Sequence, residues 1–161
     1  MTGAGSPGVG AASGSAAALR ARLARPPAAL RGALQRARGR PWRAAVAEGS
    51  MRPAIEPGDW LLLDPTVARW PRPGSVVVFR EPGSDLLAIK RVAARGGDHV
   101  RLVEGLLHLE PDEAWLVGDD RAISLDSGRY GPVPAERLVA RAWFRYWPLR
   151  RIGLIRRAAE R

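Results

Sequence analysis

A mainly β domain, an antiparallel barrel or sandwich with little helix, is what this 161-residue sequence predicts. Three observations predict it. The apolar runs are short, they are separated by Pro-Gly and Gly-Gly turn chemistry, and they recur at close spacing along the chain. With 46% hydrophobic residues the chain can bury one core, flanked by tails, but not two.

Residues 1–18 are mostly Gly, Ser and Ala with one proline, a composition of disorder. Leucines 19, 23, 30 and 34 among arginines make a weak helical stripe, broken by Pro26-Pro27. Residues 1–43 are therefore expected to be a disordered, Arg-rich tail. The same stretch also fits a basic element on an anionic membrane or a transit peptide.

The strand texture starts at residue 44. Pro57-Gly58 suits a type II turn before Trp60–Leu63, and Pro73-Gly74 precedes Val76–Phe79. Pro82-Gly83 separates that run from Leu86–Val92, the pattern of a hairpin. Gly96-Gly97 leads into Val100–Val103, and Glu104-Gly105 turns into Leu106–Leu109. Trp115–Val117 and Val139–Trp147 complete the set. The folded domain is expected over 44–148. Residues 149–161 follow as a basic tail or a short helix through Leu149, Ile152 and Ile155.

Composition excludes several chemistries. Cysteine is absent, which removes disulfides, thiol nucleophiles and thiolate zinc sites. His99 and His108 are the only histidines, too few for a multi-histidine metal centre, so neither metal nor cofactor is expected. His108 reads as a structural strand residue and His99 as an exposed one after a turn. No run approaches the ~20 apolar residues of a membrane span, and the first thirty residues lack the apolar core of a secretory signal. The net charge of +10 is concentrated in the tails: residues 1–47 carry eight arginines and no acid, whereas residues 48–145 carry 13 basic and 15 acidic groups. Nucleic acid is therefore not an expected partner, while an anionic membrane surface could meet the tails.

Of 26 basic residues only Lys90 is lysine. In a chain that writes positive charge as arginine, this position suits a group that must lose its proton. Leu86, Ala88, Lys90 and Val92 share one face of an extended strand. An apolar face lowers a lysine pKa, and reaching neutrality costs about 4 kcal/mol at ~1.4 kcal/mol per unit. A neutral amine is useful as a general base. The other reading is a lysine that snorkels to the strand edge.

A base needs a nucleophile. Ser50 stands in Gly49-Ser50-Met51-Arg52-Pro53, a bend that can display its hydroxyl and free its N–H as an oxyanion donor. Met51 and Pro53 beside it are candidates for the substrate cleft. A third segment, Gly118 to Ser127, is dense in polar groups and follows an apolar strand, a usual place for a site. Its acids lack calcium-loop spacing and could simply cap turns.

Together these segments resemble the type I signal peptidase family of Ser/Lys processing proteases. Ser50-Met51-Arg52-Pro53 with Gly58-Asp59 looks like the nucleophile motif, and Lys90-Arg91-Val92 with Gly97-Asp98 like the lysine motif. Gly118-Asp119, Ser124-Leu125-Asp126-Ser127 and Gly131-Pro132-Val133-Pro134 look like the last motif. The resemblance covers about residues 45–148 and implies a coiled antiparallel β fold, shared with the LexA group. It also implies endoproteolysis by Ser50 as nucleophile and Lys90 as base, with Ser124 orienting the lysine, Asp126 supporting that loop and the Ser50 N–H in the oxyanion hole.

The sequence departs from the family pattern at Glu48, Ser75, Asp120 and Gly128. Gly128 leaves Asp126 without its usual arginine, so Arg129 or Arg91 is the expected substitute. The implied substrate is a precursor with an N-terminal leader. Lacking an evident span or export signal, the chain is expected to be cytoplasmic, or peripheral to the membrane. In the spans Leu86–Val92, Trp115–Asp119 and Arg145–Pro148 it most resembles the branch that matures nickel-type superoxide dismutase. Cleavage of exported preproteins at the membrane is the alternative. A LexA-like self-cleaving regulator is another, disfavoured by a tail too rich in glycine and proline for a helix-turn-helix.

Overall fold

The computed structural model describes residues 42–156. Residues 1–41 and 157–161, with most of the expected N-terminal tail and the last residues of the C-terminal one, lie outside the described residues. Ten strands run in chain order: β1 Trp42–Ala45, β2 Trp60–Asp64, β3 Val76–Arg80, β4 Leu87–Arg95, β5 His99–Leu102, β6 Gly105–His108, β7 Glu113–Val117, β8 Val133–Pro134, β9 Leu138–Trp147 and β10 Gly153–Leu154. One helical turn, α1 Ser127–Tyr130, precedes β8, and 3-10 turns cover Ala135–Arg137 and Leu149–Arg151.

Eight strands form one antiparallel sheet in the order β1-β2-β9-β3-β4-β7-β8, with β10 added to β9. The sheet curls into a half-barrel. Bulges in the β2–β9, β3–β9 and β4–β7 pairs supply local bend and twist. β3 is buried along Val76-Val77-Val78-Phe79, because apolar groups cover both of its faces. Val76 and Val78 pack with Trp42, Met51, Ile55, Leu61 and Leu63 on one face. Val77 and Phe79 pack with Val92, Leu116 and Val133 on the other. β5 and β6 form a separate hairpin that packs Val100 and Leu107 over Ala94, Leu109 and Trp115.

Each apolar run singled out in the sequence is a strand, and β3–β4 is the hairpin predicted around Pro82-Gly83. Two elements differ. The sheet begins at Trp42, where β1 is too short and arginine-diluted to show alternation. The helix through Leu149, Ile152 and Ile155 does not form. Pro148 opens a single 3-10 turn, Gly153 takes a positive φ of 152°, and β10 then pairs with Phe144 and Arg145 of β9. His108 is exposed, not structural.

Candidate active site

Lys90 lies mid-way along β4, opposite Val77, so it shares the face where Val77, Phe79, Val92 and Leu116 pack. Only 3% of its surface is exposed. Burial holds its pKa below the ordinary value of 10.5, against the opposing charges of Glu48, Glu81 and Asp126. Ser50 opens a turn closed by Arg52 N–H to the Gly49 carbonyl at 3.0 Å and Ile55 N–H to the Met51 carbonyl at 2.9 Å. It too is buried. The Lys90 Nζ donates to Ser50 Oγ at 2.7 Å, across 40 residues of sequence. Among the described residues the Ser50 N–H donates to no backbone carbonyl.

The polar loop after β7 closes on the same point. Asp120 N–H donates to the Ser50 carbonyl at 3.0 Å, and Ser124 N–H donates to the Asp120 carbonyl at 3.1 Å. Gly118 separates them: a Cβ there would stand 2.6 Å from the Ser50 carbonyl oxygen and would overlap Ser124 Oγ. Only glycine lets the loop seat. Ser124 Oγ is buried and makes no hydrogen bond among the described residues, so it is not bonded to Lys90.

Asp126 takes neither expected arginine. Its carboxylate accepts the N–H groups of Gly118 and Gly128, each at 3.1 Å, capping α1 and tying the loop to the end of β7. Arg129 is exposed, and Arg91 is committed to Asp119 by paired bonds at 2.6 and 2.7 Å. That pair, with Arg91 also donating to the Gly74 carbonyl, was missed from sequence although Arg91 and Asp119 both sit within the motifs. Met51 is fully buried among Trp42, Ile55 and Leu61 and lines no cleft, whereas Pro53 is exposed.

Asp59 is the other group that sequence reasoning missed. It is 1% exposed and accepts from Glu56 N–H, Arg145 and Arg151. The same arginines donate to the carbonyls of Ala54 and Pro53, so the turn after Ser50 is clamped from β9 and from the 3-10 turn behind it. The polar neighbour Gly58-Asp59 was the only signal, and its partners lie some ninety residues away.

Beside this centre, β7 pairs β4 only over Arg91–Arg95, so Leu87–Lys90 present a sheet edge that β7 leaves open. Leu87, Ala88 and Ile89 are half-buried along it, and the next residue, Lys90, holds Ser50. An unpaired edge of this kind can accept an extended peptide.

Residues 41–110 and 104–147 match the family described as signal peptidase, peptidase S26. Probable signal peptidase I-2 of Synechocystis sp. is 32% identical, over 72% of this chain and 67% of its own. Thylakoidal processing peptidase 1, chloroplastic, of Arabidopsis thaliana is 30% identical over 66% of this chain, which spans only 44% of that protein. Mitochondrial inner membrane protease subunit 1 of Schizosaccharomyces pombe is 33% identical over 62% of this chain and 69% of its own. The matched span takes in the strands and loops that bring residues 50 and 90 together, and the chain therefore belongs to the signal peptidase family, peptidase S26, and is a serine endopeptidase.

Proposed function

We propose that this chain removes an N-terminal leader from a precursor protein through a Ser50–Lys90 dyad. The observation that carries the reading is the 2.7 Å contact between two buried groups, one a lysine whose charged form is disfavoured. The neutral Lys90 amine takes the Ser50 proton as Oγ attacks the scissile carbonyl. The Ser50 N–H stabilises the oxyanion. Collapse forms the Ser50 ester and breaks the C–N bond, and the Lys90 ammonium returns its proton to the leaving amine. Lys90 then deprotonates water, which hydrolyses the ester and restores the hydroxyl. The Ser124 hydroxyl, buried with no partner of its own, turns to the Lys90 amine to orient it when substrate is bound, and Asp126 holds the loop that carries it.

The leader lies along the open edge at Leu87–Ile89. Its source is either an exported preprotein, as the names of the relatives favour, or a nickel superoxide dismutase precursor, as the motif spacing favours. Incubation of the full chain with each, followed by mass mapping of new N-termini, distinguishes them. A single new N-terminus that disappears with Ser50→Ala is expected. Cleavage surviving Ser50→Ala, or no cleavage of either precursor, overturns the reading, and the chain incubated alone reports self-cleavage.

Action at a membrane surface is favoured by one further observation. Where β2, β9 and β10 meet, Trp60, Trp147, Leu149 and Leu154 are all exposed, Leu154 by 70%. No helix among the described residues is long and apolar enough to cross a membrane. Sedimentation with anionic vesicles that weakens in a Leu149→Ser/Leu154→Ser variant supports this setting; unchanged sedimentation removes it.

A further inference from the structure

The two histidines of the chain, the only ones among 161 residues, face each other. His99 of β5 and His108 of β6 are cross-strand partners with ring centroids 4.8 Å apart. The neighbouring bond from Leu109 N–H to the Asp98 carbonyl, 3.1 Å, puts them at a non-hydrogen-bonded position, where opposed side chains approach most closely. The hairpin's inner face, Val100 and Leu107, packs on the domain, so both imidazoles project from the outer face and are exposed. Arg101 shares that face, and Asp98 is engaged by the Arg95 N–H at 2.9 Å.

We infer that this pair is a chelating site for a divalent transition-metal ion of the copper, nickel or zinc class. Imidazole nitrogen suits these ions, which bind it at about 2.0–2.1 Å. A metal so bound by one nitrogen of each ring stands about 3.2 Å from each ring centroid. Centroids 4.8 Å apart then subtend about 97° at the metal, between the cis angle of a square-planar site and the tetrahedral angle. The rings are tilted by 48° rather than stacked, so each can turn a nitrogen toward a shared point without moving the backbone. Two protein ligands are too few for a closed structural site, and no third ligating side chain joins them among the described residues. The remaining positions are open to water or to a ligand from outside. The ion cross-links β5 to β6 across the outer face of the hairpin and, by binding the folded form, stabilises it.

The full chain titrated with Cu2+ alone, followed by electron paramagnetic resonance and by thermal unfolding, tests the site. Copper is the probe because it heads the affinity order for such ligands. One equivalent should bind with two imidazole nitrogens in the hyperfine pattern and should raise the unfolding midpoint. His99→Gln and His108→Gln, both at exposed positions, should each lower affinity at least about tenfold, because either removes the chelate. The double variant should be little worse than the single ones. A one-imidazole spectrum, or binding in the single variants as tight as in the wild type, overturns the proposal. Neither result bears on the Ser50–Lys90 reading, since neither histidine lies in that site.

Discussion

At position 90 an amine sits opposite Val77 on a packed face, and its charge is what the fold resists. Arginine is basic but stays protonated, so Lys90→Arg should lower the rate of leader cleavage by about 10²–10⁴. Lys90→Met should be equally inactive, yet its unfolding midpoint should rise, because an apolar side chain fits the same face without desolvating a charge. The pH dependence follows from the same burial. The folded-state pKa lies below the unfolded one, so between the two the unfolded chain binds more protons and stability rises with pH toward 10.5. Cleavage should fall as pH drops through the depressed pKa, and a kcat–pH profile with its acid limb below the ordinary lysine range checks this. Both Ser50 and Lys90 were legible in sequence, one from a glycine–proline bend and the other as the sole lysine. Met51 was not, since a turn has no alternation from which to read which side its residues face, and Met51 packs into the core.

Elements hold those residues in register. The Asp59 carboxylate joins the Ser50 turn to β9 and to the 3-10 turn at Leu149–Arg151. Asp59→Ala leaves Arg145 without its buried partner and should cost about 3–5 kcal/mol in chemical denaturation. Arg151→Ala, at a more exposed partner, should cost less stability while lowering kcat more than it alters KM. Gly118→Ala places a carbon 2.6 Å from the Ser50 carbonyl, and the loop must retreat. A displacement near 1 Å is worth about 10² in rate, so kcat should fall by roughly that factor in a protein that still unfolds cooperatively. The hairpin β3–β4 could be read from Pro82-Gly83 and continuous valines because its signals are local. The clamp at Asp59 and the strand β10 could not, because a two-residue strand has no periodicity and its stabilising partners come from distant chain.

Across the whole molecule, sheet order decides which contacts depend on which. The sequence shows a β domain and its strand positions, but the pattern of short runs is silent on their neighbours, and the order β1-β2-β9-β3-β4 emerges only from the packed structure. β9 lies between β2, which continues from the serine turn, and β3–β4, which carries the lysine. Such non-local pairing is slow to form compared with a local hairpin. A chain lacking residues 138–147 would tie the serine turn to the lysine hairpin only by core contacts and the Asp120 bond, with no sheet pairing between them. β9 is thus the keel on which hydroxyl and amine are aligned, and a copy without it should keep both residues yet fail to cleave a precursor.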